Sequence, residues 1–103
     1  LSEAKLTEQC RTYFKKIRLE RPDFFWWKIS DKYSSGIPDF FVAYNGVAIF
    51  IELKDKGRKP GKLQEYTLRC LNRAGVLSIW ADDFKTVQAF VEGQLSLVPS
   101  VFE

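Results

Sequence analysis

Apolar residues recur at helical spacing over residues 2–19: Leu6, Cys10, Tyr13, Phe14 and Ile17 share one stripe, with Lys5, Arg11, Lys15, Lys16 and Arg18 mostly between them. This predicts an amphipathic helix with a basic outer side, N-capped by Ser2 and stopped near Leu19 or Glu20, because Pro22 disfavours helix at Arg21. Residues 24–29 read as an aromatic strand, and a polar loop over 30–36 follows. Residues 38–44 and 47–54 are β-rich runs joined by Asn45-Gly46, the pair most favoured in a two-residue type I′ hairpin turn. With 45 and 46 as the turn, facing residues have numbers that sum to 91, which sets Phe40 against Ile51, Val42 against Ile49 and Asp39 against Glu52. One face then carries Phe40, Val42, Tyr44, Val47, Ile49, Ile51 and Leu53, and the other Phe41, Ala43, Ala48 and Phe50 beside Glu52 and Lys54. Both faces are apolar, so helices are expected to cover each.

Beyond a basic Gly/Pro-rich loop over 56–62, Leu63, Tyr66, Thr67, Cys70, Leu71 and Ala74 predict a second amphipathic helix with Gly75 at its C-cap. Residues 76–80 read as a buried strand. Asp82 or Asp83 can cap a third helix carrying Phe84, Val87, Ala89, Phe90 and Val91, ending near Gly93 before a tail with Leu95, Leu97 and Val98. The order α-β-β-β-α-β-α, in a single domain over 1–103, predicts an α/β fold with a mixed central sheet flanked by helices.

Composition narrows the chemistry. With 46% hydrophobic residues the chain can build a core without disulfide or metal staples, and no apolar run spans a bilayer. Residues 1–5 lack a signal peptide's apolar segment, so a soluble, cytoplasmic protein with no membrane partner is expected; the opening Leu1 suggests trimmed ends. The absence of histidine excludes Ser-His-Asp and Cys-His catalysis and histidine-liganded zinc for this chain acting alone. Cys10 and Cys70 fall at apolar helical positions in no zinc-ligand spacing and are expected to be buried free thiols. A net charge of +3 permits a nucleic-acid partner without demanding one.

Asp39 opposite Glu52 is the unusual feature. Facing carboxylates at the edge of a core repel each other and lose hydration, which a divalent cation would offset. The pairing taken alone favours a plainer arrangement, in which Asp39 fixes a turn and Glu52 forms a strand-end salt bridge with Lys54. The surrounding residues change that balance. Gly36-Ile37-Pro38-Asp39 followed on the next strand by Glu52-Leu53-Lys54 resembles the signature of the PD-(D/E)xK nuclease superfamily. With the Glu3 helix before it and Gln64 opening the next helix, the pattern from 2 to about 80 resembles the VRR-NUC family of stand-alone phage and bacterial nucleases.

That resemblance implies a restriction-endonuclease-like αβββαβ core and hydrolysis of a DNA phosphodiester with Mg²⁺, or Mn²⁺ in its place. It implies that Asp39, Glu52 and the Leu53 carbonyl hold the metal, that Lys54 orients water or neutralises the phosphate, and that Gln64 hydrogen-bonds water or phosphate. The family's helix-1 glutamate maps onto Glu3, with Glu8 as competitor. The resemblance also implies a dimeric resolvase of Holliday junctions or other branched DNA. Flap or duplex DNA, and a non-catalytic DNA-binding module, stand as alternatives.

Lys56, Arg58, Lys59 and Lys62 form a basic loop beside this site, suited to a phosphate backbone, and Ser35 is a further candidate contact. The run from Gly57 to Gly61-Lys62 is no P-loop, because its spacing is short and Leu63 replaces the required Ser or Thr, so no nucleotide cofactor is expected. Of Trp26 and Trp27 at most one can reach DNA, since neighbours on a strand face opposite ways; packing in the core is the expected role of the pair.

Overall fold

The computed structural model describes residues 1–30 and 36–97; of Leu97 it describes the backbone alone. The elements are α1 (Glu3–Glu20), β1 (Phe24–Lys28), β2 (Phe40–Tyr44), β3 (Val47–Leu53), α2 (Lys62–Arg73), β4 (Leu77–Ala81) and α3 (Phe84–Leu97), in the order expected from the sequence. The four strands form one sheet in the order β1-β2-β3-β4, antiparallel except for the parallel β3–β4 pair that α2 connects. This is the mixed α/β sheet expected, consistent with a restriction-endonuclease-like core.

Local chemistry fixes the elements. The Ser2 hydroxyl accepts from the Lys5 amide at 3.2 Å and caps α1, and the Arg21 guanidinium, just past the helix, donates to the Tyr44 hydroxyl at 2.7 Å. Asn45 and Gly46 have φ of 45° and 83°, the left-handed pair a type I′ turn requires, and β2 and β3 take the register that sets Phe40 against Ile51. The Asp83 carboxylate accepts from the Thr86 amide at 2.8 Å and starts α3.

The core lies between the sheet and the α1–α3 side. Leu6, Cys10, Phe14 and Ile17 of α1 and Val87 and Val91 of α3 cover Phe40, Val42, Ile49, Ile51 and Leu53. Phe14 sits at its centre, edge-on to Phe40 with ring centroids 5.3 Å apart and tilted against Trp26 at 5.9 Å.

Several expectations need correction. The opposite face of the sheet is only partly covered, because α1 and α3 both lie on the first face and leave α2 alone on the second, packed along β4. Phe25 and Trp27 stay exposed there, so of the two tryptophans only Trp26 packs inward. For the same reason α2 buries Leu68 but leaves Leu63, Tyr66 and Cys70 exposed, and Cys70 is not the buried thiol expected. The fourth strand starts at Leu77 and is half-exposed, since β4 is a sheet edge. The third helix runs through Gly93 to Leu97, where a tail was expected; one helical glycine costs only about 1 kcal/mol relative to alanine, too little to end it.

Candidate active site

The loop that delivers Asp39 is held tightly. Gly36 has a φ of +91°, and a Cβ there would stand 2.8 Å from the Leu63 Cγ, so its backbone lies directly on the first turn of α2. Three residues later the Asp39 carbonyl accepts from the Ile29 amide at 2.8 Å, just past β1. The Asp39 side chain reaches the other way, and its Oδ2 accepts from the Leu53 amide at 2.7 Å. The hairpin ladder ends at the Phe40–Ile51 pair, so Asp39 bridges from its end to β3 through its carboxylate instead of its backbone.

Glu52 is 3% exposed, although it is a carboxylate. Burial, then a side-chain hydrogen bond with Asp39 and the Asp39 charge, push it up to about 8, against the opposing pull of Lys54. Burial beside a second carboxylate therefore favours the neutral form of Glu52. Lys54 Nζ lies 3.2 Å from Glu52 Oε2, on the same side of β3, and this is the strand-end ion pair of the plainer reading. Gln64 lies at the first turn of α2; its side-chain carbonyl accepts from the Gly61 amide at 3.1 Å while its amide donates to Glu52 Oε2. An exposed cap residue would serve the helix alone, whereas Gln64 also reaches the carboxylate.

Glu3 enters from the start of α1. Its amide donates to Asp55 Oδ1 at 2.5 Å, and the Lys56 amide donates to the Leu1 carbonyl at 3.2 Å, so the chain start is tied to the exit of β3. Partial burial and then the Asp39 charge raise the Glu3 carboxyl, with Lys54, Asp55 and Lys28 acting more weakly, which puts it within electrostatic reach of the pair. Glu8 is exposed and pairs with Arg11 at 3.4 Å; it lines a groove of about 750 Å³ between α1 and α3 with Tyr13 and Phe84, not the carboxylate cluster.

Of the basic loop, Lys56 approaches Asp82 and Asp83 at 3.8 and 3.6 Å, and the Gly57 amide donates to Asp82, so this part is pinned to the end of β4. Arg58, Lys59 and Lys62 are exposed. Ser35 lies outside the described residues. Sequence reasoning missed Lys28, whose Nζ is 3.6 Å from Asp39 Oδ1. The available signal was its place at the end of the strand that runs beside the Asp39 end of β2.

Among solved structures, a VRR_NUC domain superposes with a TM-score of 0.71 over 87% of this chain and 94% of that chain, at 25% sequence identity. The fold is that of a VRR_NUC domain, and the likeness supports the VRR-NUC resemblance of the sequence motifs. No family model and no curated protein matches the chain. The structural match supports the fold of a nuclease domain family. No helix among the described residues is long and apolar enough to cross a membrane.

Proposed function

We propose that the chain is a divalent-metal-dependent DNA endonuclease in which Asp39, Glu52 and the Leu53 carbonyl hold the ion. The observation that carries this reading is buried Glu52 set against the half-buried Asp39 carboxylate, whose charge, after burial itself and their side-chain hydrogen bond, raises Glu52. A cation between the two carboxylates would relieve the repulsion. The donors are hard oxygens: two carboxylates, and a carbonyl that faces the β2 side because the Leu53 amide already does so toward Asp39. Among the described residues no group of three or more His, Cys, Asp and Glu side chains converges. A two-carboxylate set fits Mg²⁺, which keeps several waters and takes phosphate oxygens, better than it fits a fully ligated ion such as structural zinc.

A bound Mg²⁺ or Mn²⁺ would polarise the scissile phosphate and lower the pKa of water. Lys54, at the same face as Glu52, would neutralise charge that builds on the phosphoryl oxygens as the water oxygen adds and the 3′ oxygen leaves and takes up a proton from solvent, which yields 5′-phosphate and 3′-hydroxyl ends. Gln64 fixes the Glu52 carboxylate from one side and offers its amide to water or phosphate. Glu3 sits where it can orient water through Lys54 or beside Asp39. Arg58, Lys59 and Lys62, with Lys56, follow the DNA backbone, and these contacts carry no base sequence.

With no separate recognition domain in these 103 residues, selectivity falls to DNA shape, and branched DNA is the substrate this reading favours. Paired cuts across a four-way junction need two such sites, so the working form is a homodimer with two-fold symmetry. The test is cleavage of end-labelled four-way junction, flap and linear duplex side by side with Mg²⁺. Symmetric paired nicks confined to the junction support a resolvase; cutting chiefly of flap or duplex removes that substrate while keeping the chemistry; binding without cutting leaves a DNA-binding module.

A further inference from the structure

α1 begins near the carboxylates, where the Asp39 charge helps to raise Glu3, and runs away from them. Its polar side carries Arg11, Lys15 and Arg18 at i, i+4 and i+7, a single stripe of cations. At the rise of an α-helix, Arg11 and Arg18 stand about 12 and about 22 Å along the axis from Glu3. β1 returns beside α1 after residues 21–23. Its residues on the α1 side are Phe24, Trp26 and Lys28, which pair across the sheet with the buried Tyr44, Val42 and Phe40.

At the open edge of the sheet, Arg11 and Arg18 of the helix and Trp26 and Lys28 of the strand line a cleft of about 440 Å³. Among the described residues no carboxylate lines it. Glu8, which does not line the cleft, approaches Arg11 at 3.4 Å, but its side chain is 73% exposed and such a pair contributes little. Arg18 and Lys15 have no ion pair among the described residues. Lys28 closes the end nearest the carboxylates. Its Nζ lies over the Phe40 ring at 5.8 Å, donates to the Ile29 carbonyl at 2.9 Å and stands 3.6 Å from Asp39 Oδ1. Lys28 therefore belongs to the cleft and to the carboxylate end at once. In the order of the sheet, Asp39 and Glu52 stand between this cleft, at β1, and the basic loop that leaves β3.

We propose that the cleft between α1 and β1 is a track for the phosphate backbone of DNA, in which Arg11 and Arg18 hold phosphates and Lys28 leads the strand to Asp39. The choice of DNA rests on the nuclease reading. The charge of the occupant does not, because a cleft with three cations and no carboxylate takes a polyanion whatever the chemistry beside it. Arginine suits the task, since its planar fork meets two phosphate oxygens together. Trp26 packs on Phe14 with ring centroids 5.9 Å apart, so it serves as an apolar floor beneath the arginine stems and not as a base-stacking surface. The contacts go to the backbone, and the track reads no base sequence.

Fluorescence anisotropy with a labelled duplex in EDTA tests this by comparing two double variants, Arg11→Gln with Arg18→Gln and Lys5→Gln with Lys16→Gln. Each removes two charges from α1, but Lys5 and Lys16 line the groove toward α3. The arginine variant is expected to bind about 10- to 60-fold more weakly at about 0.1 M salt and to reduce the dependence of log affinity on log salt by about 1.8. The lysine variant should lose less than a third of that slope. Equal losses in the two variants, no loss in the arginine variant, or no binding by the wild type overturns the track. Arg11→Lys with Arg18→Lys keeps the charge and is expected to keep the slope, which separates a lost contact from a lost fold; a slope lost there too overturns the proposal. So does polyglutamate that displaces the probe as readily as unlabelled duplex, since the cleft would then take acidic protein chains. Cleavage with Mg²⁺ is scored separately. Weaker binding by the arginine variant without any cutting by the wild type supports the track and fails the nuclease reading, and cutting with binding unaffected does the reverse.

Discussion

Glu52 concentrates the chemistry into one titration. Its neutral form fits the folded chain, while the unfolded chain ionises near the ordinary value of 4.5, so the stabilisation is complete below that value and is lost as pH rises through about 8. In EDTA the melting temperature should therefore fall from about pH 4.5 to about pH 8 and level off above it, with a slope of at most about 1.4 kcal/mol per pH unit, and Glu52→Gln should flatten the curve. A wild-type curve as flat as the variant's would show that Glu52 is not raised in the folded chain. The same proton competes with a cation, so affinity for Mn²⁺ is expected to rise with pH over that window, as calorimetry can measure. Gly36 is the other residue with no substitute. Alanine there meets the Leu63 side chain and an unfavourable φ, and should cost about 1–3 kcal/mol, read as a lower melting temperature together with weaker cleavage because Asp39 shifts with the loop.

At the scale of elements, the hairpin was fully legible because its information is local. Asn45-Gly46 sets the turn, the turn sets the register, and the register brings Asp39 and Glu52 to one end of the sheet. Gly46→Ala, forced into φ of +83°, should cost about 1–2 kcal/mol in chemical denaturation while leaving the site's ligands in place. The N-terminus of α1 is a second local device. Ser2→Ala should cost about 1 kcal/mol and, by fraying the turn that carries Glu3, lower cleavage more than stability alone explains. What the sequence hid was non-local. Cys70, Tyr66 and Trp27 lie in patterns that read as core, and they are exposed because two of the three helices occupy one face of the sheet. Periodicity shows that a face is apolar, but not how many neighbours arrive to cover it. The reach of Lys28 to Asp39 was hidden likewise, since it depends on β1 lying beside β2 across a loop.

For the whole molecule, charge placement matters more than the net charge of +3. Arg58, Lys59 and Lys62 are exposed between the end of β3 and the first turn of α2, and replacing all three with alanine should weaken DNA binding uniformly across sequences. It should also reduce the dependence of log affinity on log salt by about 0.9 for each phosphate no longer neutralised; an unchanged slope would place the DNA elsewhere. The carboxylate pair, the Lys54 and Gln64 side chains on it, and the fold shared with a VRR_NUC domain all converge on one end of the sheet. The most direct test of that convergence is cleavage of labelled four-way junction DNA by the wild-type chain and by Asp39→Asn, each with Mg²⁺ and with EDTA. The expected result is cutting by the wild type with Mg²⁺ alone, lowered at least about 100-fold by the substitution, the scale on which single catalytic groups act. Undiminished cutting by Asp39→Asn, or cutting that persists in EDTA, would contradict a metal centre at Asp39 and Glu52.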